Sequence, residues 1–234
     1  MYRLLFFLPL LAACSDQRDV RNFYFPVREL TDGLVYEYTN KGTLTDEPSD
    51  FWYFLGIDRD TALYLSSTHY ADGMSPDQVV RERITNDGVQ LEQLILYPRL
   101  VTGQPQRVDA QILYGRSFPF YTDDGRATGY RIAFIPPDNP DAVNYISLNR
   151  RFRGDTTLTV MGESRPALLF DLEGEVSQRD PTLGDISPTY TGYEIYAEGL
   201  GLVEYHRDLG AGGVMAGKLV RRIPMADYAG KFER

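Results

Sequence analysis

Gln78–Tyr97, "QVVRERITNDGVQLEQLILY", holds two runs of alternating apolar and polar residues on either side of Asn86-Asp87-Gly88. Alternation with a period of two is the mark of a half-buried strand, and Asn-Asp-Gly between two such runs predicts a β-hairpin. In the second arm Val89, Leu91, Ile95 and Tyr97 fall on one side. The same period continues outward in both directions. In "GLVYEYT" the residues Leu34, Tyr36 and Tyr38 oppose Val35, Glu37 and Thr39, and Phe51–Ile57, "FWYFLGI", is apolar on both faces and reads as a central strand. Ala62–Tyr70 continues the series.

Further strands are expected at Val108–Tyr114, Tyr130–Ile135, Val143–Arg153, Thr156–Gly162 and Pro166–Gln178, then at Tyr190–Ala197, Leu200–Arg207 and Gly217–Ile223. Within Pro166–Gln178, Leu168, Phe170, Leu172 and Val176 form a dry face against Leu169, Asp171, Glu173 and Glu175. The only helical moments are weak ones, over Ser75–Arg83 and near the C-terminus. Pro136–Ala142 and Gln178–Gly192 read as long loops. Turn signals recurring every 8 to 15 residues or so predict an all-β, mainly antiparallel fold. Its form is a single strongly curved sheet, a half-barrel or a sandwich, with little helix.

The chain has 234 residues, 24 Lys+Arg against 33 Asp+Glu, and a formal charge of −9. That balance disfavours nucleic acid, whose binding depends on neutralising phosphates, and it offers no polybasic patch for anionic lipid heads. Seventeen Tyr, 12 Phe and one Trp suit half-buried sheet positions with hydroxyls reaching water.

The one cysteine lies in "LLAACSDQ", Leu10–Gln17, behind an apolar run from Leu4 to Leu11 broken only by Pro9. One positive charge at Arg3, a short apolar stretch and a small-residue cleavage site make a secretion signal. The run is far short of the roughly 20 residues that span a bilayer. Leu11-Ala12-Ala13-Cys14 resembles the lipobox of bacterial lipoproteins. That resemblance implies cleavage between Ala13 and Cys14, acylation of Cys14, and a lipid-anchored product; Ser15 after the cysteine resembles the outer-membrane sorting pattern. Residues 1–13 are then the signal peptide, 14–22 the lipidated cysteine with a flexible polar tether, and 23–234 a single β-rich domain. With Cys14 acylated, no thiol remains for a disulfide, a metal site or a nucleophile.

Tyr196–Tyr205, "YAEGLGLVEY", and the opening "FYFPVRELTDGLVYEY" from Phe23 to Tyr38 resemble segments of uncharacterised β-rich outer-membrane lipoproteins of the Bacteroidota kind. A more distant likeness is to the carriers LolA and LolB, half-barrels wrapped over an apolar cavity, although this chain offers little helix for a lid.

Few residues suggest chemistry. His69 and His206 each sit in an alternating pattern without the clustered ligands of a metal site, and read as packing or surface groups. Gly199-Leu200-Gly201 lacks the third glycine and the following helix of a dinucleotide loop. Ser164 lacks the nucleophile-elbow spacing. Asp123-Asp124-Gly125 and Asp138-Asn139-Pro140-Asp141 could offer oxygens to calcium, but both are good turn formers. Trp52 and Tyr53 serve a β core as readily as a sugar-binding platform. No catalytic residue, cofactor or metal is expected. The function this implies is a non-enzymatic accessory lipoprotein of the outer membrane, held by its lipid anchor and docking on an envelope protein partner. The alternatives are a carrier of a lipid or other apolar ligand, and a glycan-binding or hydrolytic lipoprotein.

Overall fold

Alternating strands that each pair with the next make a meander, and a meander with right-handed twist can close on itself. A computed structural model, which describes residues 17–44, 47–72, 74–99, 103–122 and 126–231, shows that this one does. The long strands are β2 (Leu34–Asn40), β3 (Ser49–Arg59), β4 (Ala62–Asp72), β5 (Ser75–Ile84), β6 (Gly88–Leu96), β8 (Gln111–Pro119) and β10 (Ala127–Phe134). They continue with β11 (Val143–Val160), β12 (Glu163–Arg179), β13 (Thr189–Ala197), β14 (Gly201–Asp208) and β15 (Val214–Ile223). Every neighbouring pair is antiparallel, and β15 pairs with β2 through Lys218↔Thr39, Leu219↔Tyr38 and Ile223↔Val35. The curved sheet is thus a closed up-and-down barrel of these twelve strands. Short β7 (Val108–Asp109) adds to β6, and β1 (Arg18–Asp19) pairs separately with β9 (Tyr121–Thr122).

The hairpin expected at Asn86–Gly88 is β5–β6, with Thr85 N–H donating to the Gly88 carbonyl at 2.9 Å. Ser75–Arg83 is strand, not helix: β-branched Val79 and Val80 pair with both β4 and β6, and two ladders outweigh a weak helical moment. Val143–Arg153 and Thr156–Gly162, expected as two strands, form one 18-residue strand whose register shifts between Phe152 and Gly154. A bulge explains the break in alternation. Met161 and Gly162, with φ of 49° and 86°, make the tight turn into β12. After Pro224 ends β15, the C-terminal helical signal becomes α1 (Met225–Ala229), whose Tyr228 packs on Phe51 and Tyr70 outside the barrel at 5.0 and 5.6 Å between ring centroids.

The two ends of the barrel differ. At the end where β2 begins and β15 finishes, residues 18–33 fold inward as a plug, with Val20, Phe23, Tyr24, Val27 and Leu30 all buried. They pack on Phe54, Leu65, Phe118, Phe170 and Leu200 in the main apolar core. Backbone bonds fix the plug: Val20 N–H to the Phe120 carbonyl at 2.8 Å, Gly199 N–H to Asn22 at 2.9 Å, and Gly56 N–H to Leu30 at 2.8 Å. The polar stretch through Asn22 therefore joins the fold from Arg18 onward instead of forming a tether up to the domain. The signal peptide, Ala13 and Cys14 lie outside the described residues, as do Asp123 and Asp124.

The outer wall is charged. Arg151, Arg153, Asp171 and Glu173 point outward on β11 and β12, while Leu148, Leu168, Phe170 and Leu172 point in. A lipid-facing strand would carry an apolar band, since a charged group at the bilayer midplane costs roughly 2–4 kcal/mol for Arg or Lys. No helix among the described residues is long and apolar enough to cross a membrane.

Gly56 is where plug and wall touch: a Cβ there would lie 1.9 Å from the Val27 carbonyl oxygen. Gly56→Ala is expected to unseat the plug and cost about 1–3 kcal/mol. Urea unfolding with an unchanged midpoint would show that the plug does not bear on the wall at this point.

Candidate functional site

Above the plug, the barrel is hollow. A cavity of about 520 Å³ occupies the half nearer the opposite end and reaches the rim at Asn40, Leu44, Glu47 and Val214. One wall is apolar, formed by Val80, Leu91, Leu94 and Phe118, with the ring of Tyr130 beside it. The remaining wall carries two charged clusters on inward positions of β3–β5 and β11–β14.

The first cluster is centred on His69. Its β-ladder partner is Trp52, and the two rings lie 4.7 Å apart. His69 Nε2 bonds Asp50 Oδ1, and Nδ1 lies 2.5 Å from Asp77 Oδ1. Asp50 Oδ2 in turn accepts from the Tyr205 hydroxyl at 2.9 Å and from Trp52 Nε1 at 3.3 Å. Burial alone would lower the imidazole pKa, but the hydrogen bonds and charges of Asp50 and Asp77 outweigh it and raise it to about 9. His69 is thus an imidazolium at neutral pH, and both its nitrogens donate. Burial pushes the Asp50 carboxyl up, and the His69 bond and charge more than reverse that, leaving it below the usual range.

The second cluster is centred on Glu194, whose side chain is 1% exposed. Arg150 Nε donates to Glu194 Oε2 at 2.6 Å, Arg207 donates an NH2 proton to Oε1 at 3.2 Å, and the Tyr196 hydroxyl donates at 3.0 Å. Arg150 also reaches the Ser117 carbonyl at 2.8 Å. Burial raises the Glu194 pKa, but Arg150 and Arg207 win, with help from the Arg150 and Tyr196 hydrogen bonds, and hold it at about 2. Arg207 Nε is buried without a hydrogen-bond partner among the described residues. Nearby, Tyr24 of the plug donates to Glu82 Oε2 at 2.6 Å.

Of the residues singled out from sequence, Trp52 and His69 come together in the cavity, whereas Tyr53 faces outward beneath Gly33. His206 stacks on Tyr193 at 5.5 Å on the outer wall. Asp138 and Asp141 lie in turns, and the adjacent Asn139 donates to Asp180 at 2.6 Å. Among the described residues no group of three or more His, Cys, Asp or Glu side chains is placed to hold a metal ion. Gly201, with φ of 86°, leaves room for the plug's Phe25 ring. Sequence reasoning passed over Asp50, Asp77, Arg150, Glu194 and Arg207. For Arg150 a signal existed: it shares a face with Leu148 and Phe152, where a charge on a dry face requires a buried partner.

Two predictions follow from these pairs. Because the His69 pKa is raised from 6.5 to about 9, its stabilisation is complete below about 6.5 and is lost as the pH rises through about 9. The gap in urea midpoint between the wild type and His69→Gln should therefore shrink across that window, and a constant gap would remove the assignment. Glu194→Gln leaves two buried guanidinium groups without a counter-charge and should cost about 3–5 kcal/mol by the same assay. In the wild type, the stabilisation from Glu194 should persist down to about pH 4.5 and fade toward about pH 2.

Comparison with known proteins adds the fold. No family model matches the chain, and no curated protein matches it. Among solved structures, an exported protein of Bacteroides fragilis with a YmcC-like fold superposes with a TM-score of 0.51 at 12% identity, over 86% of this chain and 98% of that one. A lipoprotein of Parabacteroides distasonis gives 0.49 at 12% identity, over 86% and 97%. The hypothetical lipoprotein YmcC of Escherichia coli gives 0.38 at 14%, over 83% and 88%. At these identities, what the chain shares with the Bacteroides fragilis protein is its β-rich fold.

Proposed function

We propose that this protein is a non-enzymatic accessory lipoprotein of the bacterial outer membrane, tethered through Cys14, that holds a ligand in its barrel and docks on an envelope protein partner by the rim. The observation that carries this reading is the asymmetry of the barrel, plugged at the base and hollow at the mouth.

The chain enters the fold at Arg18, at the plugged base. Four residue steps separate Arg18 from Cys14, at most about 14 Å of extended chain. A lipidated Cys14 would therefore set the base close to the membrane and turn the mouth away from it. Several acyl chains at about 0.8 kcal/mol per buried CH₂ would make that anchorage effectively permanent. The description of the Bacteroides fragilis neighbour as an exported protein accords with a place in the envelope.

The rim supports docking. Leu44, Met74, Ile135, Leu183, Ile186 and Met215 are exposed large apolar side chains, all in strand ends or loops at the mouth, and Leu183 is 81% exposed. Apolar side chains gathered at one end mark an interaction surface. A non-catalytic role is supported by His69, since both imidazole nitrogens are engaged by carboxylates and the ring is already protonated. A base needs a free nitrogen. The alternative of an apolar-ligand carrier finds support in Val80, Leu91, Leu94 and Phe118, but the facing wall is charged.

Cys14→Ser should abolish palmitate labelling and leave an uncut or soluble product. Normal processing and unchanged membrane fractionation would remove the anchor. A photo-crosslinking residue at Leu183 or Ile186, in cells, should capture a discrete envelope protein that the same residue at Met161, near the base, does not. Equal capture at both places, or at neither, would remove docking by the rim.

A further inference from the structure

We propose that the cavity binds a neutral, polyhydroxylated ligand of the saccharide class, seated between Trp52 and Arg207. This rests on the reading of the barrel as a ligand-holding module and adds the chemistry of what it holds.

The charges of the cavity exclude other classes. Asp50, Asp77, Glu82 and Glu194, with Glu47 at the rim, face His69, Arg150 and Arg207, an excess of two negative charges when His69 is protonated, in a chain whose formal charge is −9. An anionic ligand would enter against that field. A cation would find each of the four carboxylates inside the rim already engaged: Asp50 and Asp77 by His69, Glu82 by Tyr24, and Glu194 by two arginines. An acyl chain would strip water from these charged groups and return no hydrogen bond, which is costly for each group covered.

What remains open is hydrogen-bonding capacity without net charge. The Arg207 guanidinium, which gives one bond to Glu194, keeps 27% of its side chain exposed, and the Asp50 and Asp77 carboxylates keep 25% and 40%. An ionised carboxylate has about four lone-pair sites, and the tyrosine hydroxyls that donate to Asp50 and Glu194 can still accept. Hydroxyl groups both donate and accept, so a polyol satisfies such a mixture where an ion or a hydrocarbon does not. Trp52, flanked by His69 at 4.7 Å and Phe54 at 6.3 Å between ring centroids, stays half-buried in the cavity lining and adds apolar contact for the C–H groups of a sugar beside these polar groups. The volume of about 520 Å³ falls within the roughly 300–1,000 Å³ of small-molecule sites. Open at the rim, it admits one end of a longer chain.

Trp52 is the only tryptophan in the sequence, so intrinsic indole fluorescence reports on this cavity alone. The experiment is titration of the full-length protein in phospholipid vesicles, which bring no other tryptophan, with maltohexaose, cellohexaose and chitohexaose, beside hexagalacturonate and laurate. The expected result is a saturable fluorescence change with at least one neutral oligosaccharide, weakened roughly 10-fold or more in Arg207→Gln, which removes a charged donor. Should that variant fail to fold, Ser67→Leu, which narrows the cavity without touching a charge, should weaken binding instead. Saturation by hexagalacturonate alone would overturn the neutral ligand, and saturation by laurate alone the saccharide class; either would overturn the proposal while leaving the ligand-holding barrel standing. No change with any of the five would overturn both. Neutral-sugar binding that neither variant weakens would place the sugar outside the cavity and overturn the proposal.

Discussion

The ladder between β2 and β15 joins the first long strand to the last, across some 180 residues of chain. The other neighbours in the barrel follow one another closely in sequence, so this one pairing turns an open meander into a closed wall. Closure removes both free edges of the sheet and with them the unpaired backbone groups that invite aggregation. It is reinforced from inside: the hydroxyls of Tyr36 and Tyr38 donate to the carbonyls of Leu200 and Leu202 at 3.2 and 2.8 Å, fastening β2 to the start of β14. The register shift between Leu219 and Arg221 marks where β15 bends to meet β2. A long-range closing step of this kind must wait for the remaining strands, and such non-local pairing makes for slow folding.

A closed twelve-stranded wall encloses more space than its own side chains fill, and the chain divides that space. Plug residues from Val20 to Leu30 complete the apolar core at the base, with Phe25 lying 4.3 Å from Phe54 between ring centroids and filling the room left by Gly201. The half near the mouth holds charges instead. Ion pairs so placed are poor sources of net stability, because desolvation offsets most of their attraction. Their presence in the cavity wall, each matched to partners from other strands, fits a surface kept polar for contact with a ligand. Arg150 and Glu194 also tie β11 to β13 across the intervening β12, and Tyr205 with Asp50 ties β14 to β3, so the polar wall is preorganised.

The sequence by itself determined most of the long strands, because a period of two is written in neighbouring residues. Gln78–Tyr97 specified its hairpin through Asn86–Gly88, and Leu168, Phe170 and Leu172 announced which face of β12 would be dry. Antiparallel all-β architecture followed from those local patterns. Tertiary structure decided the rest. Closure depends on Tyr38 meeting Leu219, and the plug on Val27 meeting Gly56; neither contact leaves a mark in local alternation. His69 read as a packing residue because its carboxylate partners lie 19 and 8 residues away, on separate strands. Trp52 could be core or platform until the barrel's filling was known, since alternation reports which side of a strand a residue takes and not whether that side meets protein or open space. Periodicity is a property of one strand, whereas a cavity is a property of all twelve at once.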